Sequence, residues 1–484
     1  MIQTYAAKLK NLSKAFDSAK AVDDLSLDIE QGKITGVIGA DGAGKTTLLR
    51  LITGLLLPDS GAIEVSTRKI GYMPQKFGLY DDLTVIQNLN LYADLKDVPH
   101  DFDKLLEFTN LGAFQNRLAG QLSGGMKQKL GLACALMGSP EFLVLDEPSV
   151  GVDPVSRREL MKLVRDFTAQ DTTVIWSTAY LDEAHSFDTA VVMNEGKIIF
   201  NGKPQELGAT SQEFENRIIE LMGGYEEHES LIAKSYEKRS CCVEFPVEAC
   251  DLVKKYGDFY AVKKNSFCIK EGEIFGLIGP NGAGKTTSFR MMCGLSAPTE
   301  GTARIMDVDI QENPSLARSH LGYMAQKFSL YGNLTVRQNL EFFAGVYGLG
   351  NHEQKARIDE IIQVFGFGKH IDQKSGELPL GFKQRLSMAC ALIHNPAVLF
   401  LDEPTSGVDV LTRREFWNHI RSLAKKGVTI LITTHFMDEA EFCDRISLFY
   451  DGEAIAVGTP QELKTSAGAA TMEDAFIKLI EGSQ

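Results

Sequence analysis

The run Ile34-Thr35-Gly36-Val37-Ile38-Gly39-Ala40-Asp41-Gly42-Ala43-Gly44-Lys45-Thr46-Thr47-Leu48 decides how the chain folds. An apolar stretch leads into a glycine loop, and a helix-like run follows from Leu48 to Leu57. The loop has the pattern G-x-x-x-x-G-K-T. Backbone N–H groups of such a loop point inward and cradle phosphate oxygens, while the helix N-terminus adds positive field. In this pattern Lys45 reaches the terminal phosphates and the Thr46 hydroxyl faces Mg²⁺. Gly39, Ala40, Asp41, Gly42, Ala43, Gly44, Lys45, Thr46 and Thr47 are therefore candidate nucleotide ligands.

The stretch recurs as Gly279, Pro280, Asn281, Gly282, Ala283, Gly284, Lys285, Thr286 and Thr287. The repeat extends far beyond the loop. Lys45 and Lys285 are offset by 240, whereas Asp146 and Asp402, and Thr178 and Thr434, are offset by 256. The second copy holds 11 more residues between its lysine and Gln326, around Val308 to His320. In both copies, short alternating strands (Ala6–Leu12, Val247–Val253) precede the loop. A mostly helical region follows it (Leu83–Met137, Leu334–His394), and buried-strand runs return at Phe142–Leu145 and Val398–Leu401, then at Thr173–Trp176 and Thr429–Ile432. Strands alternating with helices imply a largely parallel, covered sheet. The fold class expected is α/β, with tandem P-loop domains at 1–224 and 245–484. Between them, 225–244 has the Glu, Lys, His and Ser composition of an exposed connector.

Composition narrows the partners. A net charge of −14 over 484 residues disfavours a nucleic-acid surface. No run of 18 apolar residues occurs, so no bilayer-spanning helix is expected. The N-terminus enters a strand pattern without the charged and apolar regions of a signal peptide. The eight cysteines lack zinc or iron–sulfur spacing and read as reduced thiols in a cytosolic protein.

Phe142-Leu-Val-Leu-Asp-Glu-Pro148 is an apolar strand ending in two carboxylates, and Phe400-Leu-Asp-Glu-Pro404 repeats it. A strand end beside the glycine loop sets the aspartate (Asp146, Asp402) near a nucleotide's metal and the glutamate (Glu147, Glu403) near the terminal phosphate and its attacking water. Leu122-Ser123-Gly124-Gly125-Met-Lys-Gln128 opens a helix expected over Lys129–Met137. Serine and glycines at a helix start form a second phosphate cradle.

Together these motifs resemble two ATP-binding cassettes of the ABC superfamily joined in tandem. The resemblance takes in both glycine loops (Walker A) and both acidic strand ends (Walker B). It also takes in the Ser123-Gly124-Gly125 signature, the Q-loop glutamines Gln75 and Gln326, the segments Gly151-Val-Asp153 and Gly407-Val-Asp409, and the switch histidine His435. It implies ATP and Mg²⁺ as ligands, with Thr46, Gln75, Asp146, Thr286, Gln326 and Asp402 on the metal side. Phe16 and Tyr256 match the position that stacks on adenine. It also implies an intramolecular cassette dimer closing head-to-tail around two ATP molecules. Each nucleotide then lies between the Walker motifs of one cassette and the signature of the other.

The sequence departs from the family pattern twice. Ala179 replaces the switch histidine in Trp176-Ser-Thr-Ala-Tyr180, and His185, six residues on, is expected to point elsewhere. The second signature reads Leu378-Pro379-Leu380-Gly381-Phe-Lys-Gln384, which loses the serine hydroxyl and one glycine and leaves Gly381. Under head-to-tail pairing both losses fall in one composite site. The other keeps Lys285, Asp402, Glu403 and His435 opposite Ser123.

The segments Gln75–Leu89 and Gln326–Leu340 agree at 11 of 15 positions, including Lys76 and Lys327. In the family this region forms the groove for a membrane subunit's helix. The expected partners are therefore two related integral membrane subunits of ABC-2 type, as separate chains, with this chain peripheral on the cytoplasmic face of the cell membrane. The wording of those segments, with Met472-Glu-Asp-Ala-Phe476, resembles drug-exporter cassettes. Two alternatives stand beside that reading: a sugar-type importer ATPase, and a soluble tandem cassette acting on ribosomes.

Overall fold

The computed structural model describes residues 5–16, 19–75, 78–150, 152, 154–168, 171–224, 230, 232, 236, 243–326 and 329–482. Lys76, Lys327, Gly151, Asp153 and the Cys241–Cys242 pair lie outside the described residues. The chain divides into two compact units, one built on Met1–Glu226 and the other on the bulk of Glu227–Gln484.

The first unit opens with two long antiparallel strands, β1 (Tyr5–Phe16) and β2 (Ala19–Glu30), and the central strand β3 (Ile34–Gly39). Then come β4 (Ser60–Val65), β5 (Ile70–Met73), β6 (Phe142–Asp146), β7 (Thr173–Thr178), β8 (Thr189–Asn194) and β9 (Lys197–Gly202). Its main sheet has the order β5-β6-β7-β3-β8-β9, parallel except at the β8–β9 edge. Every residue of β3, β6 and β7 is buried. That is why these strands read as unbroken apolar runs rather than alternating ones. A separate antiparallel sheet, β2-β1-β4, packs its alternating Leu9, Leu25, Leu27 and Ile29 with Leu48 and Leu49 of the helix after the loop.

That helix is Lys45–Ile52, shorter than the apolar run Leu48–Leu57 predicts. Thr53 ends it and Gly54 turns the chain at φ +74°, leaving Leu55 and Leu57 exposed beyond it. The helical subdomain is Val85–Lys96, Asp103–Thr109 and Gly124–Leu136, closed around Val85, Leu89, Leu106, Leu130 and Ala133. Its last helix starts at Gly124, five residues before the predicted Lys129, because Ser123 caps it.

The second unit repeats this plan. Its strands are β10 (Val247–Tyr256), β11 (Phe259–Ile269), β12 (Ile274–Ile278), β13 (Glu300–Ile305), β14 (Val308–Asp309), β15 (Leu321–Met324), β16 (Val398–Asp402), β17 (Thr429–Thr434), β18 (Arg445–Tyr450) and β19 (Glu453–Gly458). The main sheet is β15-β16-β17-β12-β18-β19 and the antiparallel one β11-β10-β13-β14. The additional residues of this copy form β14 and the helix Pro314–Ser319. Of the connector, Ser230, Ile232 and Tyr236 are buried. Ile232 and Tyr236 join the second unit's core, and Ser230 Oγ lies 2.7 Å from His419 Nδ1. These three residues pack rather than remain exposed, because Ile and Tyr supply the apolar surface that the surrounding Glu and Lys lack.

Candidate active site

Parallel pairing sets the chemistry at one edge of each sheet. In the first unit Ile38 pairs with Thr178 and Asp146 with Ser177, so the ends of β3, β6 and β7 converge. In the second, Ile278 pairs with Thr434 and Asp402 with Thr433. Ligands of such sheets bind beyond the carboxyl ends of the strands, where neighbouring connections diverge.

Gly44 and Gly284 cap the loop helices in the left-handed region, at φ +100° and +95°. A Cβ on Gly44 would stand 2.0 Å from the Ala21 carbonyl oxygen, and one on Gly284 2.6 Å from that of Ala261. Only glycine lets the loop wrap so closely that its N–H groups face inward. The ammonium of Lys45 donates to the carbonyls of Gly39 (2.8 Å) and Ala40 (3.2 Å), and Lys285 does the same to Gly279 and Pro280. Both lysines are buried across the mouth of their loops. Phe16 and Tyr256, at the ends of β1 and β10, are about half exposed, with the Lys14 and Lys254 ammonium groups over their rings.

Asp146 Oδ1 accepts from Thr46 Oγ1 (3.1 Å) and Ser177 Oγ (2.8 Å), while its Oδ2 is buried without a hydrogen-bond partner. Asp402 Oδ1 accepts from Thr433 Oγ1 at 2.5 Å and, more weakly, from Thr286 Oγ1 at 3.5 Å. Burial pushes the Asp402 carboxyl up to about 6, against the opposing hydrogen bond from Thr433. Asp146 is raised for the same reason. A carboxylate with an unpartnered oxygen beside a threonine hydroxyl is a hard oxygen donor set, which fits Mg²⁺ completed by phosphate and water.

Glu147 and Glu403 sit in the left-handed region at φ +49° and +47°, an unusual conformation for a side-chain-bearing residue. Each is pinned there by its own N–H, which donates to the neighbouring strand: Glu147 to Ser177, Glu403 to Thr433. The bend turns each carboxylate out of the strand toward its Q-loop glutamine. Gln75 Nε2 donates to Glu147 Oε2 at 2.6 Å, and Gln326 Nε2 to Glu403 Oε2 at 2.9 Å.

The two sites then diverge. His435 Nδ1 lies 3.1 Å from Glu403 Oε2, an electrostatic contact rather than an aligned hydrogen bond. Burial works to raise the Glu403 carboxyl, but contact with His435, aided by Lys285 and Gln326, outweighs it and holds the group below its usual range. At the matching place in the first unit Ala179 carries no donor, and Glu147 Oε1 lies 3.4 Å from Lys45 Nζ. His185 is turned away, toward the Gly208 carbonyl and the Phe214 ring. Ser123 accepts from the Met126 N–H at 3.3 Å as the cap of its helix, whereas Pro379 begins its helix with no side-chain cap. Ser123, Gly124 and Gly125 thus stand at the start of a different helix from the one after the glycine loop.

The ABC transporter profile matches residues 22–150 and 262–406, which hold both glycine loops and both acidic strand ends. The chain belongs to the ABC transporter family. Across 98% of its length it is 47% identical to the "Probable multidrug ABC transporter ATP-binding protein YbhF" of Escherichia coli (strain K12), covering 97% of that protein. A 219-residue part, 45% of the chain, is 41% identical to "Nod factor export ATP-binding protein I" of Burkholderia orbicola (strain AU 1054), over 72% of that protein. Among solved structures, an archaeal ribosome recycling factor, aABCE1, aligns over 92% of this chain and 88% of its own with a TM-score of 0.65. Its 21% identity makes that a likeness of fold alone.

The two units are ABC cassettes, and their chemistry is ATP hydrolysis coupled to transmembrane transport. Cassettes of this family bind ATP, generally with Mg²⁺. Among the described residues no helix is long and apolar enough to cross a membrane. Sequence reasoning missed Ser177 and Thr433, which orient the aspartates, and two buried glutamates, Glu183 and Glu439. The signal was present: each pair keeps the 256 offset and a like side chain.

Proposed function

We propose that this chain is the ATPase subunit of an exporter, driving separate ABC-2-type membrane subunits from the cytoplasmic face, with one complete and one degenerate ATP site. The observation that carries the asymmetry is the Glu403–His435 contact, set against Glu147 with Ala179 in the histidine's place. The uncapped Pro379 supports it, because under the head-to-tail pairing that the family resemblance implies, that signature would face the first cassette's Walker motifs.

In this reading the loop N–H groups and Lys285 hold the β- and γ-phosphates, and Tyr256 stacks on the base. Asp402 and Thr286 hold Mg²⁺, which neutralises charge on the phosphates when bound. Glu403 polarises the attacking water, Gln326 orients Glu403, and the His435 imidazole donates toward the γ-phosphate. The first cassette keeps Lys45, Asp146, Glu147 and Gln75. It binds Mg-ATP as a clamp but turns it over slowly.

Export is supported by the names of the multidrug and Nod-factor relatives. Docking to membrane subunits is supported by apolar side chains left in water at matched positions: Leu55 and Leu295, Tyr80 and Tyr331, Leu95 and Val346. In the second cassette Leu295 and Val346 border a cavity of about 930 Å³, also lined by Arg318, Tyr323 and Tyr347.

The test is steady-state phosphate release from Glu403→Gln and Glu147→Gln in the assembled complex. Glu403→Gln should remove nearly all hydrolysis, while Glu147→Gln leaves most of it. Equal losses would overturn the asymmetric reading.

A further inference from the structure

Behind the second site lies a carboxylate with no part in the mechanism above. Glu439 is 0% exposed. Its Oε2 accepts from Thr434 Oγ1 at 2.6 Å and its Oε1 from Thr405 Oγ1 at 2.6 Å. Arg413 Nε stands 3.9 Å from Oε1, and the same guanidinium lies over the Phe436 ring. Thr434 also accepts the N–H of Phe436 at 3.0 Å. The backbone on both sides of His435 is thus tied to one hydroxyl, and that hydroxyl to Glu439. The other arm holds Thr405, two residues beyond Glu403, on the turn where the Ser406 N–H donates to the Glu403 carbonyl.

One buried carboxylate therefore links the two chain segments whose side chains meet at 3.1 Å. Burying a carboxylate is costly unless it is hydrogen-bonded and neutralised. An apolar residue would fill the space but could not bind two hydroxyls at once. We infer that Glu439 is a positioning residue, a brace that sets His435 against Glu403 and the γ-phosphate.

The first cassette supplies a control within the molecule. Glu183 Oε2 accepts from Ser149 Oγ and Thr178 Oγ1, both at 2.8 Å, and the Tyr180 N–H donates to Thr178. Arg157 lies 4.0 Å from Oε1. The same chain segments are tied together, although here both hydroxyls reach the one oxygen Oε2, and the residue held is Ala179. A brace serving only the fold would matter equally in both cassettes, whereas one serving the histidine matters to the rate only in the second. The inference rests on the reading that the second cassette's Walker motifs carry hydrolysis.

The experiment compares Glu439→Ala, Glu439→Gln, Thr405→Val and Glu183→Ala in the full chain, measuring kcat, KM for ATP and Tm. Glu439→Ala should lower kcat by about tenfold or more with KM changed less than about twofold, as expected when a transition-state contact is misplaced. Glu183→Ala should lower Tm comparably and leave kcat within about twofold. Glu439→Gln, whose amide still bridges both threonines, should recover most of the rate. Thr405→Val removes one arm at nearly constant volume, and is expected to cost about threefold or more in kcat. It keeps the test open if Glu439→Ala fails to fold. Equal kcat losses for Glu439→Ala and Glu183→Ala, or a Thr405→Val enzyme at the wild-type rate, would overturn the brace. The Glu403→Gln and Glu147→Gln pair reports separately on which cassette hydrolyses: a dead Glu403→Gln beside an unaffected Glu439→Ala sinks only the brace.

Discussion

The Glu403 carboxylate and the His435 imidazole stand 3.1 Å apart, Oε2 to Nδ1, and both side chains are buried. In the first cassette Ala179 takes the histidine's place, and the corresponding carboxylate lies 3.4 Å from Lys45. The two cassettes share strand order, loop and acidic strand end. They differ beside the glutamate that would activate water, where the second cassette has His435 and the first has Ala179.

His435→Ala should therefore lower steady-state phosphate release by about 10²–10³-fold, the usual effect of removing one donor to a developing oxyanion. On the proposed head-to-tail reading, Ala179→His should restore little in the other site, since Pro379 would still lack the hydroxyl and N–H of Ser123. A gain of about tenfold or more from Ala179→His alone, worth about 1.4 kcal/mol, would show that the proposed opposing signature is not the barrier.

Gly44→Ala tests the loop itself. The position needs φ +100° and meets the Ala21 carbonyl 2.0 Å from an added Cβ. Destabilisation of more than about 1 kcal/mol is expected, with a fall of at least roughly 2–4 °C in the melting temperature of that cassette. Gly42→Ala, whose Cβ would meet nothing within 4 Å, should cost less despite its φ of +83°. Calorimetry on the two variants ranks them.

Membrane docking is checked by placing Asp at Leu55 and Leu95, or at Leu295 and Val346. All four side chains are exposed, so the isolated chain should keep its fold and its basal ATPase within about twofold. Co-purification of the membrane subunits should fall in both double variants. Charge reversal of Lys76 and Lys327 is expected to act in the same direction. Unchanged recovery would remove these positions from the docking surface, and co-purification with ribosomes instead would favour the soluble factor.

Thiol reactivity checks the core of the helical subdomain. Burial pushes the Cys134 thiol up to about 12, whereas Cys250 is exposed. Because the reactive species is the thiolate, a buried thiol whose ionisation is pushed up in this way reacts far more slowly than an exposed one. Iodoacetamide should label Cys250 in the native protein and reach Cys134 only on unfolding, read by mass spectrometry of the peptides. Rapid native labelling of Cys134 would show that the subdomain opens.

The duplication, the parallel sheet and the motifs of the candidate site were legible in the chain because they rest on short-range chemistry. A glycine loop between a buried strand and a helix has one workable geometry, and a run such as Phe142–Asp146 is buried on both faces or not stable at all. The losses at Ala179 and Pro379 were legible for the same reason: a missing hydroxyl or imidazole is visible in the residue itself. Element ends were less so. Apolarity continues past Ile52 to Leu57, but the helix stops where Thr53 and Gly54 turn it, leaving Leu55 to face solvent.

What only the tertiary structure decided are the contacts between residues remote in sequence. Gln75 reaches Glu147 across 72 positions, and Thr405 reaches Glu439 across 34. Glu183 and Glu439, read alone, are acidic residues of the kind found on any helix surface. They become buried braces because strand pairing brings the ends of β6 and β7, and of β16 and β17, side by side. The left-handed turn at Glu403 is equally invisible in the chain, since no residue type demands it there. Hydrogen bonding of its N–H to Thr433 on the neighbouring strand holds it. Local sequence sets which chemical groups are present and which strands are buried. The meeting of Glu403 with His435 depends on sheet register, a property of the folded chain as a whole.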